Sequence, residues 1–228
     1  MLKFFGDGCD FDVKRGNSNA FFINGDELIL FDCGSKLYFE LIENNLLNGI
    51  KNITIFITHL HAGHVAGLPQ LCDYLNVQRF VNKMDINFNI FYPNTEKIKT
   101  LLSLTHIINP EEHLYKPEES KYVKKIFVQK HVDGSFGYLF EINKKKIYFS
   151  GDAAEINKDA LQMLIDNKID YFYHEACEKT HPLHVCIDKI IDDIPKNLRN
   201  KVYLMHISDG MVEKIKQFGF NLCKTIKK

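Results

Sequence analysis

His59-Leu60-His61-Ala62-Gly63-His64 decides how this chain is read. It sets three imidazoles within six residues, just after the apolar run Ile53–Ile57 and a Thr58 turn. A short apolar run of this kind reads as a buried strand. In sheets with parallel strands, functional side chains collect at the strands' C-terminal ends. Neutral imidazole is the commonest protein ligand for zinc and similar ions. Three further strand-like runs also end on metal-competent residues. Lys125–Gln129 leads to His131, Lys146–Phe149 to Ser150-Gly151-Asp152, and Val202–Met205 to His206. A lone His or Asp after a strand is more often a satisfied structural polar group. Four such strand ends in one chain favour a shared metal site.

The pattern resembles the metallo-β-lactamase superfamily over roughly residues 2–210. Leu28-Ile29-Leu30-Phe31-Asp32-Cys33-Gly34 is similar to its strand-Asp-x-Gly step. Thr58 to Leu68 matches its main metal loop, HxHxDH, except that Gly63 stands where the family has aspartate. Phe149-Ser150-Gly151-Asp152 resembles the step that supplies a bridging carboxylate, and Leu204-Met205-His206-Ile207-Ser208 the last strand-histidine. The resemblance implies an α/β fold, the αββα four-layer sandwich, as a single domain over residues 1–228. It also implies one or two zinc ions, with manganese as the alternative. The first takes His59, His61 and His131 with Asp152 bridging; the second takes His64, Asp152 and His206. Without a carboxylate at Gly63 the second ion is expected to bind more weakly.

Within the superfamily the chain looks most like the tRNase Z-like phosphodiesterases. His131-Val132-Asp133-Gly134-Ser135-Phe136-Gly137-Tyr138 is similar to their histidine-then-SxGY segment, which puts Ser135 and Tyr138 at the substrate. His174-Glu175-Ala176-Cys177 followed by His184 resembles their HEAT motif and its partner histidine. There the Glu–His pair helps deliver a proton to the leaving oxygen, so Glu175 and His184 are the expected catalytic residues. His181 is the rival to His184, and a plain surface salt link is the alternative for the pair.

Composition narrows the substrate. Lys plus Arg equals Asp plus Glu, 29 each, so no net positive field holds a long polyanion. Only 21 residues separate Asp152 from His174, which leaves little room for the arm with which tRNase Z-type enzymes grip tRNA. Compact cyclic nucleotide phosphodiesterases of this fold lack that arm. They include phage enzymes that degrade the cyclic mononucleotide signals of bacterial defence. A small cyclic nucleotide is therefore the expected substrate. A tRNase Z-like endoribonuclease, or an impaired nucleotide binder, is the alternative. Phe91, Tyr92 and Phe136 are candidate base-stacking rings. A homodimer is expected by resemblance only.

The six cysteines form no CxxC pair and read as buried, reduced thiols of a cytoplasmic protein. The first residues turn acidic and Gly-rich too soon for a signal peptide, and no apolar run is long enough to span a membrane. Strands are further expected at Leu2–Phe5, Ala20–Ile23, Glu27–Asp32, Gln78–Asn82, Tyr138–Ile142 and Tyr171–Tyr173. Helices are expected at Lys36–Leu47 with Ser35 as cap, Gln70–Leu75, Asn94–Leu104, Asp159–Asp166, Val185–Ile194 and Met211–Phe218.

Overall fold

The computed structural model describes residues 1–9 and 11–226; the remainder of the 1–228 span expected as one domain lies outside the described residues. Two six-stranded sheets face each other. The first runs in order β1 (Lys3–Phe4), β2 (Ala20–Asn24), β3 (Glu27–Phe31), β4 (Asn52–Phe56), β5 (Asn87–Phe91), β6 (Leu114–Tyr115). The second holds β7 (Val123–Val128), β8 (Phe136–Ile142), β9 (Lys145–Phe149), β10 (Tyr171–Glu175), β11 (Val202–Met205) and β12 (Asn221–Leu222), again in chain order across the sheet. Each sheet starts with antiparallel pairs and ends with parallel ones. The two halves therefore repeat a topology that the sequence does not repeat.

Residue alternation sorts the layers, because successive side chains on a strand face opposite ways. In β3, Leu28 and Leu30 point to α1 (Leu37–Glu43), α3 (Leu68–Asn76) and α4 (Thr95–Leu104), while Ile29 and Phe31 point to the other sheet. Across the gap, Phe140, Ile147, Phe149 and Tyr173 meet them. Phe31 packs edge-on to Phe140, ring centroids 4.8 Å apart. On the far side Tyr148, Phe172 and Leu204 pack under α5 (Lys158–Ile165), α6 (Ile187–Asp193) and α7 (Val212–Gln217). The result is the expected α-β-β-α stack.

Four local expectations change. Gln78–Asn82 is not a strand: Val77–Val81 winds into a wide helical turn after α3, and its apolar side chains are largely exposed. The sheet takes Asn87–Phe91 instead, where Phe88 and Ile90 face the helices and Phe91 faces the second sheet. Ser35 does not cap α1, whose N-cap is Lys36 with no side-chain bond. That helix also stops at Glu43, short of the expected Leu47; the chain turns left-handed at Asn45. All six cysteines are free, yet only Cys33, Cys72 and Cys223 are buried; Cys9, Cys177 and Cys186 are partly exposed. No helix among the described residues is long and apolar enough to cross a membrane.

Candidate metal centre

The site forms where β3, β4, β7, β9, β10 and β11 end. The strand ends are turned sharply to aim their side chains. Asp32 and His206 adopt left-handed backbone angles, φ 65° and 59°. Such angles cost a non-glycine residue on the order of 1–3 kcal/mol and persist only where the surroundings impose them. Here they do: the Asp32 N–H is bonded to Phe56 of β4 and the His206 N–H to the Ser18 hydroxyl. Gly151 shares that conformation at φ 60°, and a Cβ there would strike Thr58. Gly34 packs so closely on the metal loop that a Cβ would meet the Gly63 carbonyl at 2.2 Å. Asn19 clamps the two, donating to the Gly63 carbonyl at 3.0 Å and accepting from the Gly34 N–H at 2.8 Å.

One donor cluster is built around His61. Its Nδ1 lies 3.1 Å from His59 Nε2 and 3.2 Å from His131 Nε2. Hydrogen bonds on the far nitrogens fix the tautomers. His131 Nδ1 donates to the Leu183 carbonyl at 2.8 Å. Thr58 donates its hydroxyl to Asp32, so its oxygen accepts from His59 Nδ1 at 3.1 Å. Lone pairs on His59 and His131 therefore face the His61 ring. Burial, with His64's charge second, pushes His59 down to about 2, and burial also lowers His131. Facing lone pairs repel unless a cation sits among them. A tetrahedral zinc holds its nitrogen ligands about 3.3 Å apart, close to the spacing seen. Asp152 completes the group, its Oδ2 lying 3.7 Å from His59 and 3.9 Å from His131.

The second cluster is Asp152, Glu175, His184 and His206, whose candidate ligand atoms all lie within 4.8 Å of one another. Asp152 Oδ2 is 3.7 Å from His206 Nε2, and its buried Oδ1 has no hydrogen-bond partner among the described residues. An orphaned carboxylate oxygen between two donor sets suits a shared metal ligand. His64 stands beside both clusters. Its Nδ1 is 2.7 Å from Asp32 and its Nε2 3.4 Å from Asp152. Burial opposes the His64 charge, but Asp152 and Asp32 outweigh burial and raise it well above its ordinary value. Burial likewise opposes the Asp152 charge; His64, His206 and His59 overcome this and hold its carboxyl well below the usual range. The structure thus brings all six expected ligand residues together around one carboxylate.

Glu175 and His184 meet as a dyad at the cleft, not a surface salt link: Glu175 is fully buried, His184 partly buried, and Glu175 Oε2 is 2.7 Å from His184 Nδ1. The Ala153 N–H holds the other Glu175 oxygen. Burial, then Asp152's negative charge, pushes the Glu175 carboxyl well up. His181, the rival, lies beside His184 with ring centroids 4.9 Å apart, and its Nδ1 accepts from the Leu183 N–H. Ser135 and Tyr138 are placed otherwise than expected. Both are buried, and the Tyr138 hydroxyl donates to the Ile57 carbonyl at 2.7 Å, under the metal loop. Neither lines the cleft. Phe91 and Tyr92 are core residues too, and Phe136 packs partly buried against that core. The cleft itself, about 510 Å³, is lined by Phe11, Ser35, His61, Asp152, His184 and His206, among others. Asp32, Asn19 and Phe11 had no assigned role in the sequence. Only Asp32 carried a signal, as the acid ending an apolar strand.

A profile of the anti-Pycsar protein Apyc1 family matches residues 1–92 and 90–225. The chain belongs to the Apyc1 family. The anti-Pycsar protein Apyc1 of Paenibacillus xerothermodurans is 22% identical over 241 residues, covering 96% of this chain and 92% of that one. Among solved structures, human tRNase Z, short form, superposes with a TM-score of 0.70 at 22% identity, covering 98% of this chain and 96% of that one. A diphosphatase from the PhnP family superposes at 0.71 and 19% identity, covering 98% and 94%. The fold is the metallo-β-lactamase fold shared by these structures. With its donor clusters in place, this Apyc1-family chain is an enzyme of the metal-dependent hydrolase class.

Proposed function

We propose that this chain hydrolyses a small cyclic nucleotide as a metal-dependent phosphodiesterase. The observation that carries the reading is the juxtaposition of two donor sets on Asp152 with the Glu175–His184 dyad, at one cleft of small-molecule size. Family membership supports the cyclic nucleotide over tRNA, as do the zero net charge and the single helix α5 between β9 and β10. His59, His61, His131 and Asp152 would hold the first ion; His206, Asp152 and His64 the second. Ions bound there supply Lewis-acid activation of water and of the phosphoryl oxygens. The protein's own residues do the rest. His184 keeps Nδ1 on Glu175, so Nε2 is the nitrogen that hands a proton to the departing ribose oxygen. Glu175 holds that ring in place and, with its raised affinity for protons, keeps the dyad charged with one.

Gly63 bears on the second ion. The family aspartate adds negative charge at a place where this chain has only backbone. The second ion is then bound more weakly than the first, and zinc or manganese lost on dialysis comes from that half. Gly63→Asp raises retained metal from about one toward two ions per chain; two ions retained by the parent would refute the asymmetry. A panel of cyclic nucleotides incubated with zinc or manganese tests the activity. Turnover of at least one by the parent or Gly63→Asp is expected. Cleavage of a tRNA precursor with every cyclic nucleotide left intact sinks the reading. The free cysteines fit a cytosolic setting, and the homodimer suggested by family resemblance is read by sedimentation.

A further inference from the structure

The rings expected to stack on a base lie in the core, yet one aromatic side chain does stand at the cleft. Phe11 is 92% exposed and lines the same cleft as His61, Asp152, His184 and His206. Single exposed apolar side chains are ordinary on a protein surface; what sets Phe11 apart is that its ring lines the cleft beside the candidate metal ligands. It does not hang on a loose loop. The Asp12 carboxylate accepts from the N–H groups of Lys14 and Arg15, at 3.0 and 2.9 Å, and the Asp12 carbonyl accepts from Gly16 at 2.8 Å. Gly8 pairs with Asn17 to close the base of this arch. The buried Arg15 guanidinium pins it to Asp7 at 2.7 Å and to Asp209 at 2.8 Å.

We propose that Phe11 is the nucleobase platform of the cleft: its ring stacks on the base of a cyclic nucleotide whose phosphate lies at the metal centre. The inference rests on the phosphodiesterase reading above and adds the subsite that grips the base. A ring offers one face to any base, so the platform holds purines and pyrimidines alike without reading their edges. The bonds at Asp12 and Arg15 hold the backbone that follows Phe11, so a base arriving on the ring has mainly the side chain left to order.

The sequence contains no tryptophan, so Phe11→Trp installs a single indole. Titrating that variant, metal-loaded, with a slowly hydrolysed phosphorothioate cyclic nucleotide should quench its emission, whereas abasic ribose 3′,5′-cyclic phosphate should not. Phe11→Ala should raise KM for cyclic nucleotides about 10- to 100-fold with kcat little changed. It should leave KM for the abasic cyclic phosphate unaltered, and Phe11→Tyr should retain the parental KM. A parent that turns over cyclic nucleotides while Phe11→Ala keeps its KM and Phe11→Trp stays unquenched overturns the platform alone. Failure of both the parent and Gly63→Asp to turn over any cyclic nucleotide overturns the function reading, and the platform with it. An indole already shielded before ligand is added, in a dimer that Phe11→Ala dissociates, assigns the ring to a second copy of the chain and also overturns the platform.

Discussion

Around His61 the donors are three imidazoles, each His59 and His131 ring fixed by a neutral partner, Thr58 or the Leu183 carbonyl. Around His206 they are two carboxylates and two imidazoles, with Glu175 and His184 in direct contact. Asp152 belongs to both. The difference is one of task. The His61 half has neutral rings whose lone pairs converge, which is an arrangement for holding a cation. The His206 half brings together two carboxylates and two imidazoles, which is an arrangement suited to moving a proton beside a cation.

The largest effect that can break this division is at His184. His184→Gln should lower kcat on the order of 10²–10⁴-fold with the metal content unchanged, read by steady-state kinetics beside elemental analysis. If the variant instead loses an ion, His184 is a ligand and the proton role falls. A smaller effect is expected at Asp32, which holds His64 and Thr58 and so touches both halves from behind. Outer partners of this kind are typically worth about 10–100-fold in metal affinity. Asp32→Asn should weaken metal binding by that factor in a chelator competition; an unchanged affinity would show that His64 is aimed by the backbone alone.

The smallest effect concerns a histidine outside the site, as a control on what burial does by itself. His113 is buried, stacks on Phe88 with centroids 3.8 Å apart and donates Nδ1–H to the Phe88 carbonyl at 3.0 Å. Burial lowers it below its ordinary 6.5. As pH falls through that ordinary value the unfolded chain takes up a proton before the folded one does, so stability is lost there. The loss continues until the folded-state value is reached. His113→Phe should flatten this part of the urea-midpoint profile relative to the parent. Equal slopes in both proteins would mean that His113 does not titrate differently on folding.

Legibility in the sequence followed locality. His59, His61 and His64 lie within one loop, and His131, Asp152 and His206 each follow a strand whose apolar run announces it. The Glu175–His184 pair was readable through the resemblance of His174-Glu175-Ala176-Cys177 and His184 to the HEAT motif and its partner histidine. Asn87–Phe91 escaped because its polar residues, Asn87 and Asn89, break the apolar run, while Val77, Phe80 and Val81 imitated a strand. Ser135 and Tyr138 misled for another reason. A hydroxyl near a metal histidine in sequence can still point away from it, and only tertiary contact shows that Tyr138 props the Ile57 carbonyl. Phe11 was unreadable altogether, since exposure at a cleft is a property of the assembled sheet ends.

The Arg15 clamp reaches further than its two ion pairs suggest. Asp209 follows His206 by three residues, the Ile207 N–H bonds to the Asp7 carbonyl, and Ser18, which bonds the His206 N–H, also donates to Gly8. Arch and candidate ligand His206 are therefore tied together by side-chain and backbone bonds. Were a ligand on the arch and an ion at the candidate site coupled through these bonds, linkage would require the factor by which the ion tightens nucleotide binding to equal the factor by which nucleotide tightens the ion. A chain with a weak second site would then fill it chiefly when its substrate is present.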